Sequence, residues 1–362
     1  MRPTVAEVDL AAIRDNVGIL ARLIAPSRVW AVVKAGAYGH GGPPAARAAL
    51  AGGAMGLGVS YVEEGVELRQ AGVEAPILLL TDALDDEVES VARWRLTASA
   101  TSRRSLAALA QAPSRTVVDV QLVVDTGMHG PGFDAKALHG AVEMVRGLDS
   151  LRLAGIWTQA AVVGDASFAG HQIRTFRTLT AEFDVPKHMA STASGLLYPE
   201  SRCDLVRVGL GVYGLHPSPQ TRPLVDLKPA LRLVSRVAYV RRYPSGTRLS
   251  YGRRRPLPVE SSVATVPIGY GDGVPRALFQ GGGQVLIGGI RHCLAGAVTM
   301  DQIIVDVGNS AVNVGDEVVL IGCQGSEAIS ADEWAARVGS ISYEVISRIG
   351  PRVPRTYSDS EG

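Results

Sequence analysis

The sequence predicts an α/β protein: a (β/α)8 barrel of the TIM type followed by a mainly antiparallel β domain. Three observations predict it. Over the first two-thirds of the 362 residues, short apolar runs alternate eight times with longer Ala/Arg/Glu-rich stretches. The runs are continuous, as strands covered on both faces require. Near Asp226–Pro229 the texture changes to alternating apolar and polar residues with closely spaced turn signals, the mark of antiparallel sheet. The division therefore falls at residues 1–226 and 227–362, with the first few residues expected to join the second domain.

The apolar runs, in order, are Val29–Val33, Met55–Ser60, Ala75–Thr81, Leu96–Ala100, Thr116–Val124, Leu153–Thr158, Lys187–Ser191 and Leu205–Val208. Helix-like stretches lie between them: Pro43–Ala51, Tyr61–Ala71, Ser105–Gln111, Ala135–Arg146 and Phe168–Phe183. Eight such units read as a closed barrel. An open doubly wound sheet is the alternative this pattern leaves. Beyond the boundary, Leu231–Val240, Val263–Ile268, Gln284–Ile287, Gln302–Val307 and Glu317–Ile321 read as strands. They are separated by turn signals such as Pro244-Ser245-Gly246 and Gly271-Asp272-Gly273. Ala331–Arg337 and Ser342–Arg348 read as short helices before Pro351 and Pro354.

Composition narrows the function classes. Hydrophobic residues at 46% and charged residues at 20% exclude a disordered chain. Lys+Arg 36 against Asp+Glu 35 leaves a formal charge of +1, so no basic field draws nucleic acid or an acidic membrane surface. Arg2, Glu7 and Asp9 argue against a signal peptide at Met1–Leu10, and the longest apolar run, Ile77–Leu80 with its neighbours, is far short of a membrane span. Cys203, Cys293 and Cys323 lie far apart, so neither a disulfide framework nor a cysteine metal site is expected. The expectation is a cytoplasmic protein without bound metal, membrane or nucleic acid.

In a parallel barrel the reacting groups collect at the C-terminal ends of the strands. The first run ends in Val32-Val33-Lys34, followed by Ala35-Gly36-Ala37-Tyr38-Gly39-His40-Gly41-Gly42. A desolvated lysine at a strand mouth forms Schiff bases, and glycines let backbone amides approach an anion. The competing reading is a solvated lysine on a flexible turn.

Lys34-Ala-Gly-Ala-Tyr38-Gly-His40-Gly resembles the pyridoxal-phosphate lysine motif of the alanine racemase family. The resemblance runs through the chain: Arg2–Leu10, Val124-Asp125-Thr126-Gly127-Met128-His129, Ser250-Tyr251-Gly252, Pro267–Gly273, Thr299-Met300-Asp301-Gln302 and Tyr343–Arg355. It implies pyridoxal 5'-phosphate as cofactor. It also implies a racemase interconverting L- and D-amino acids, alanine by default, through an external aldimine and two-base proton transfer. Lys34 would hold the cofactor and serve one face of the substrate carbon; Tyr251 would serve the other. In the family that tyrosine comes from the partner subunit, which makes a head-to-tail homodimer a requirement. A phenol with a pKa of about 10 needs positive help, and Arg253–Arg255 lie close in sequence. Taken without the family, Tyr251 reads as a half-buried strand tyrosine.

The resemblance also assigns the binding groups. Tyr38 and Tyr343 would give hydroxyls to the phosphate, Thr192 its hydroxyl and amide, and Gly209 and Leu210 their amides. Thr192 also reads as a helix N-cap. Arg207 would sit beside the pyridine nitrogen, supported by His188; by themselves the two read as a surface ion pair and a core histidine. Met300, Gln159, Tyr270 and Asp301 would line the substrate end, with Arg276 at the entrance.

The sequence departs from the family where a lysine and an arginine usually stand: here Val123 and Gly130-Pro131-Gly132 take their places. Gln159 replaces a histidine, Ala297 an arginine, and Thr299 a smaller residue. Replacing the lysine and the arginine with Val123 and Gly130 is expected to leave the substrate end roomier and less positive, and losing one charged contact to a carboxylate costs about 1.5–3 kcal/mol. Three alternatives follow: a racemase of another amino acid, other Cα chemistry such as a lyase, or a non-catalytic pyridoxal-phosphate-binding protein. Retention of both Lys34 and Tyr251 argues against the last.

Overall fold

The computed structural model describes residues 2–112 and 117–359. The chain divides into two compact units. One comprises Ala11–Ala37 and Gly42–Lys228; the other comprises Met1–Leu10, Tyr38–Gly41 and Pro229–Gly362. The chain opens on strand β1 (Val5–Asp9), which belongs to the second unit.

The first unit is built on eight strands: β2 (Arg28–Val32), β3 (Gly56–Val59), β4 (Ile77–Leu79), β5 (Ala98–Ala100), β6 (Val118–Val123), β7 (Leu151–Trp157), β8 (Lys187–Ser191) and β9 (Leu205–Val208). They pair in parallel in the order β4-β3-β2-β9-β8-β7-β6-β5. Thr97 closes the ring: Leu79 N donates to Thr97 O at 2.9 Å and Thr97 N donates to Ile77 O at 2.8 Å. All eight expected runs are strands, and the barrel displaces the open-sheet alternative. The fifth run was expected from Thr116, which lies outside the described residues. Most strand residues are buried, which explains their near-continuous hydrophobicity.

Helices cover the ring. Leu10–Ile24 buries Ile13, Val17, Leu20 and Ile24, one stripe at helical spacing. Ala135–Arg146 starts where Asp134 Oδ1 accepts from Lys136 N at 2.9 Å and Ala137 N at 2.8 Å, an N-cap. Helices also form over Gly42–Ala51, Val62–Gln70, Val88–Arg93, Arg103–Ala110, Ala166–Thr180 and Thr192–Leu197. No helix among the described residues is long and apolar enough to cross a membrane.

The second unit adds β10 (Leu231–Arg236), β11 (Tyr239–Tyr243), β12 (Ser261–Val266), β13 (Gln284–Ile287), β14 (Ile290–Leu294), β15 (Ile303–Gly308), β16 (Glu317–Gln324), β17 (Glu327–Ile329) and β18 (Arg355–Ser358). Their order is β11-β12-β15-β14-β13-β16-β10-β1-β18, with β17 on β16. Every pair is antiparallel except β1 with β18. The single strand expected over Leu231–Val240 is two strands. The break comes where Val237 N donates to Asp316 O and Ala238 N to Thr265 O, so the chain changes partner strands. Helices Ala331–Val338 and Ser342–Ser347 lie where short helices were expected.

Candidate active site

Lys34 stands two residues beyond the end of β2, half-buried. The residues after it are conformationally unusual. Ala35, Gly36, Ala37 and Tyr38 have φ of 52°, 58°, 55° and 53°, a full left-handed turn. L-residues lose about 1–2 kcal/mol each in that region, and only one of the four is glycine. Local bonds hold the turn. Ala37 N donates to Val33 O at 2.8 Å, and Ala35 N donates to Glu64 Oε1 at 2.5 Å. At Gly39, φ is +84° and a Cβ would stand 2.3 Å from Ile346 O, so no other residue fits. The flexible turn of the competing reading is therefore replaced by a left-handed turn held by local bonds.

On the neighbouring strand, Arg207 is the register partner of Trp30 and is buried. Its hydrogen-bond acceptors are all neutral. Nη2 donates to Thr158 O and Gln159 Oε1, both at 2.8 Å, and Nη1 faces His188 Nδ1. The guanidinium lies 4.6 Å above the Trp157 ring, a cation–π contact. Burial lowers the Arg207 pKa to about 9, which still leaves a cation at neutral pH. Arginine donates only, so His188 Nδ1 must accept, and Nε2–H then donates to Gln121 Oε1 at 2.6 Å. Burial, and then the Arg207 charge, hold the His188 pKa well below its ordinary value. A surface ion pair is thus excluded for Arg207.

A second neutral network supports the first. Gln172 Nε2 donates to Thr126 Oγ1 at 3.1 Å and Gln159 O at 3.2 Å, and its Oε1 accepts from Ala161 N at 2.9 Å. Thr126 and Thr158 hydroxyls meet at 2.9 Å. Beyond β9, the Gly209 amide donates to Thr192 Oγ1 at 3.0 Å. The Gly209 amide is therefore engaged inside the protein. Thr192 presents its hydroxyl proton, and it is the first residue of its helix, with Ser191 at the cap position.

The loop after β6 is closed on itself. Phe133 N donates to Val123 O, Asp125 N to Phe133 O, and Asp125 Oδ1 accepts from Gly127 N and His129 N. Val123 is buried, and Gly130 lies on the exposed part of the loop, where a Cβ would meet nothing within 4 Å.

In the second unit, the Tyr38 and Tyr343 rings lie 5.8 Å apart. Burial raises the pKa of both, and in Tyr38 the neighbouring Tyr343 adds to the rise. Both phenols stay protonated donors. Tyr270 N donates to Thr299 O, Gly271 N to Met300 O, and Asp301 pairs with Arg352 at 2.6 Å. Tyr251 is 75% exposed and sits between residues at positive φ: Ser250 at 58°, Gly252 at 75° and Arg253 at 42°. Arg248 Nη1 braces that turn through the carbonyls of Arg253 (3.1 Å) and Arg254 (3.2 Å). The half-buried strand reading of Tyr251 is replaced by an exposed side chain on a short 3-10 turn. Arg255 lies over the Phe279 ring, not on Tyr251's own turn.

The structure thus brings together Arg207, His188 and Gln159, with Thr192 and Gly209 at adjoining strand ends. It groups Tyr38 with Tyr343, and Tyr270 with Met300 and Asp301. Sequence reasoning missed Glu64, Gln121, Trp157 and Gln172. The available signal for Trp157 and Gln121 was position near the end of an apolar strand; Glu64 and Gln172 sit on helices and gave none.

The family model "Alanine racemase, N-terminal domain" matches residues 8–217, and "Alanine racemase, C-terminal domain" matches residues 230–357. A protein named Alanine racemase from Symbiobacterium thermophilum is 40% identical over 368 residues, covering 99% of this chain and 97% of its own. One of the same name from Frankia casuarinae is 38% identical over 370 residues, covering 97% and 95%. A crystal structure of alanine racemase from E. faecalis superposes with a TM-score of 0.94 at 34% identity, covering 99% and 98%.

Proposed function

The chain belongs to the alanine racemase family, and on that premise we propose a pyridoxal-phosphate-dependent enzyme that interconverts L- and D-alanine with Lys34 and Tyr251 as its two bases. The observation that carries this reading is a lysine fixed at the mouth of β2 beside a strand that bears a buried, neutrally partnered arginine. Another amino acid, a lyase reaction or a non-catalytic carrier are not favoured, since relatives over the whole chain are alanine racemases.

The residues suit the cofactor. Two protonated phenols (Tyr38, Tyr343), the Thr192 hydroxyl and the Leu210 amide are donors of the kind a phosphate requires. Arg207 suits the pyridine nitrogen: a guanidinium does not take up that nitrogen's proton and disfavours a second cation beside it. His188 and Gln159 hold the guanidinium in place. When bound, pyridoxal phosphate supplies an electron sink that makes the amino acid's Cα–H acidic.

The proton movements belong to this chain. Lys34 Nζ takes the Cα proton on one face, breaking C–H and forming N–H. Tyr251 Oη delivers its own proton to the opposite face, breaking O–H and forming C–H. The reverse transfers run the other enantiomer. Gln159 Nε2 remains a donor after its oxygen is used by Arg207. By the family's pattern the Met300 amide and Tyr270 would serve the substrate carboxylate, and Asp301, paired with Arg352, the entrance. A solvent-exposed phenol on a strained turn supports a homodimer in which each Tyr251 serves the partner subunit. A cytoplasmic setting is supported by the free Cys203, Cys293 and Cys323.

The test is incubation with L-alanine in deuterated water, following Cα deuterium and enantiomer ratio. Wild type should exchange and invert. Lys34→Ala should lose both, and Tyr251→Phe should slow inversion by roughly a hundredfold or more. Exchange without inversion in the wild type would overturn the two-base reading.

A further inference from the structure

We propose that Glu64 is a positioning residue for Lys34: its carboxylate fastens the left-handed turn that follows the lysine to the start of the next βα unit. The inference rests on the reading of Lys34 as the reacting amine. Glu64 is the third residue of the helix Val62–Gln70, which follows β3, the strand beside β2. Its two oxygens face three backbone amides. Oε2 accepts from Ser60 N at 2.8 Å and Tyr61 N at 3.2 Å, while Oε1 accepts from Ala35 N at 2.5 Å.

The two Oε2 bonds have an ordinary explanation. They satisfy amides at a helix start, as a glutamate in the third helical position commonly does. The Oε1 bond does not follow from that role. It reaches 29 residues back in the chain to the amide immediately after Lys34. That amide begins the run of four residues at positive φ. The far side of the turn is held separately, by Ala37 N on Val33 O, and Val33 N is held by Gly58 O at 2.8 Å. Ala35 has no steric reason to stay left-handed, so without Glu64 it relaxes toward ordinary φ. The peptide plane joining Lys34 to Ala35 then rotates, and the lysine side chain leaves its set direction.

Glutamine separates the two roles. Its single carbonyl oxygen goes to the two amides at Ser60 and Tyr61, which preserves the helix start. Its NH2 then faces Ala35 N–H, donor against donor. Glu64→Gln therefore cuts the tie to the turn and keeps the cap. Glu63→Gln, one residue away and exposed, is the control.

The experiment compares wild type, Glu64→Gln and Glu63→Gln. It measures amide hydrogen exchange over residues 33–41 with and without added pyridoxal phosphate, the pH dependence of the lysine-bound chromophore, and kcat and KM for alanine. The expected result for Glu64→Gln is a melting temperature within about 2 °C of wild type with roughly tenfold faster exchange over 33–41. Its chromophore should titrate at a different pH, and kcat should fall roughly tenfold with KM within about threefold. Exchange and kcat within about twofold of wild type would overturn the proposal. A wild type that forms no lysine-bound chromophore would sink the reading of Lys34, while exchange in the cofactor-free chain would still decide whether Glu64 holds the turn. Should Glu64→Gln unfold, adding Ala35→Gly removes the steric cost of the left-handed conformation; failure of that change to restore folding also counts against the proposal.

Discussion

Arg207 shows how one side chain fixes the state of its neighbours. A donor-only cation is placed against His188 Nδ1, so the imidazole must be neutral with its proton on Nε2. Burial and the adjacent charge both push its pKa down, and both act against the imidazolium. The expected outcome is that His188 is still neutral at its ordinary midpoint of pH 6.5, read from its ring nitrogens by NMR. A ring half-protonated at pH 6.5 or above would show that Arg207 does not face it as the geometry indicates. The sequence supported two readings of His188, a core histidine and a support for Arg207, and the structure makes both true. What it did not disclose was the company: Gln121 is 67 residues away in the chain, and only the barrel's curvature places the two side chains together.

Elements that carry a one-dimensional signal were legible. The eight barrel strands are largely buried on both faces and therefore read as near-continuous apolar runs, broken at few positions such as Asp119, Gln121, Arg152 and Arg207. β14 was not legible, because Arg291 interrupts its apolar pattern between two glycine-marked turns; β18 is polar along its length. The turn after Lys34 was hidden for a different reason. Alanine and tyrosine do not announce positive φ, and the bonds that hold them there come from Glu64 and from backbone. Arg291 itself has a structural task. Its guanidinium binds Glu333 at 2.9 Å and Glu327 at 2.8 Å, and Arg337 adds a bond to Glu333 at 3.0 Å, tying the helix Ala331–Val338 to the sheet. Burial pushes the Glu333 carboxyl up, but the two arginines outweigh it and hold the pKa below its ordinary 4.5. A carboxylate depressed in this way contributes its stability above the unfolded value and loses it as pH falls through the folded one. Glu333→Gln is expected to cost about 1 kcal/mol at pH 7, or about 2–4 °C in Tm. The difference from wild type should shrink as pH falls below the ordinary 4.5 and through the folded value, as thermal melts across pH would record. A constant difference at every pH would mean that packing, not charge, ties this helix down.

At the scale of the whole molecule, the exposure of Tyr251 bears on what a working unit is. A phenol 75% open to solvent, on a turn with three positive-φ residues, is available to a group outside its own chain. If that group belongs to a second copy, each site takes its lysine from one protomer and its phenol from the other, and two inactive variants can repair each other. A dimer of Lys34→Ala has no working amine, and a dimer of Tyr251→Phe lacks the second base. In a hybrid of the two, one site combines both defects, while the other pairs an intact Lys34 with an intact Tyr251. Random exchange in an equal mixture makes about half of the dimers hybrid, each with one good site of two, so racemase activity should return to about a quarter of wild type. Recovery should appear at the rate of subunit exchange and be absent when the variants are mixed under conditions that prevent exchange. A mixture that stays as inactive as its components after demonstrated exchange would place both bases in one protomer.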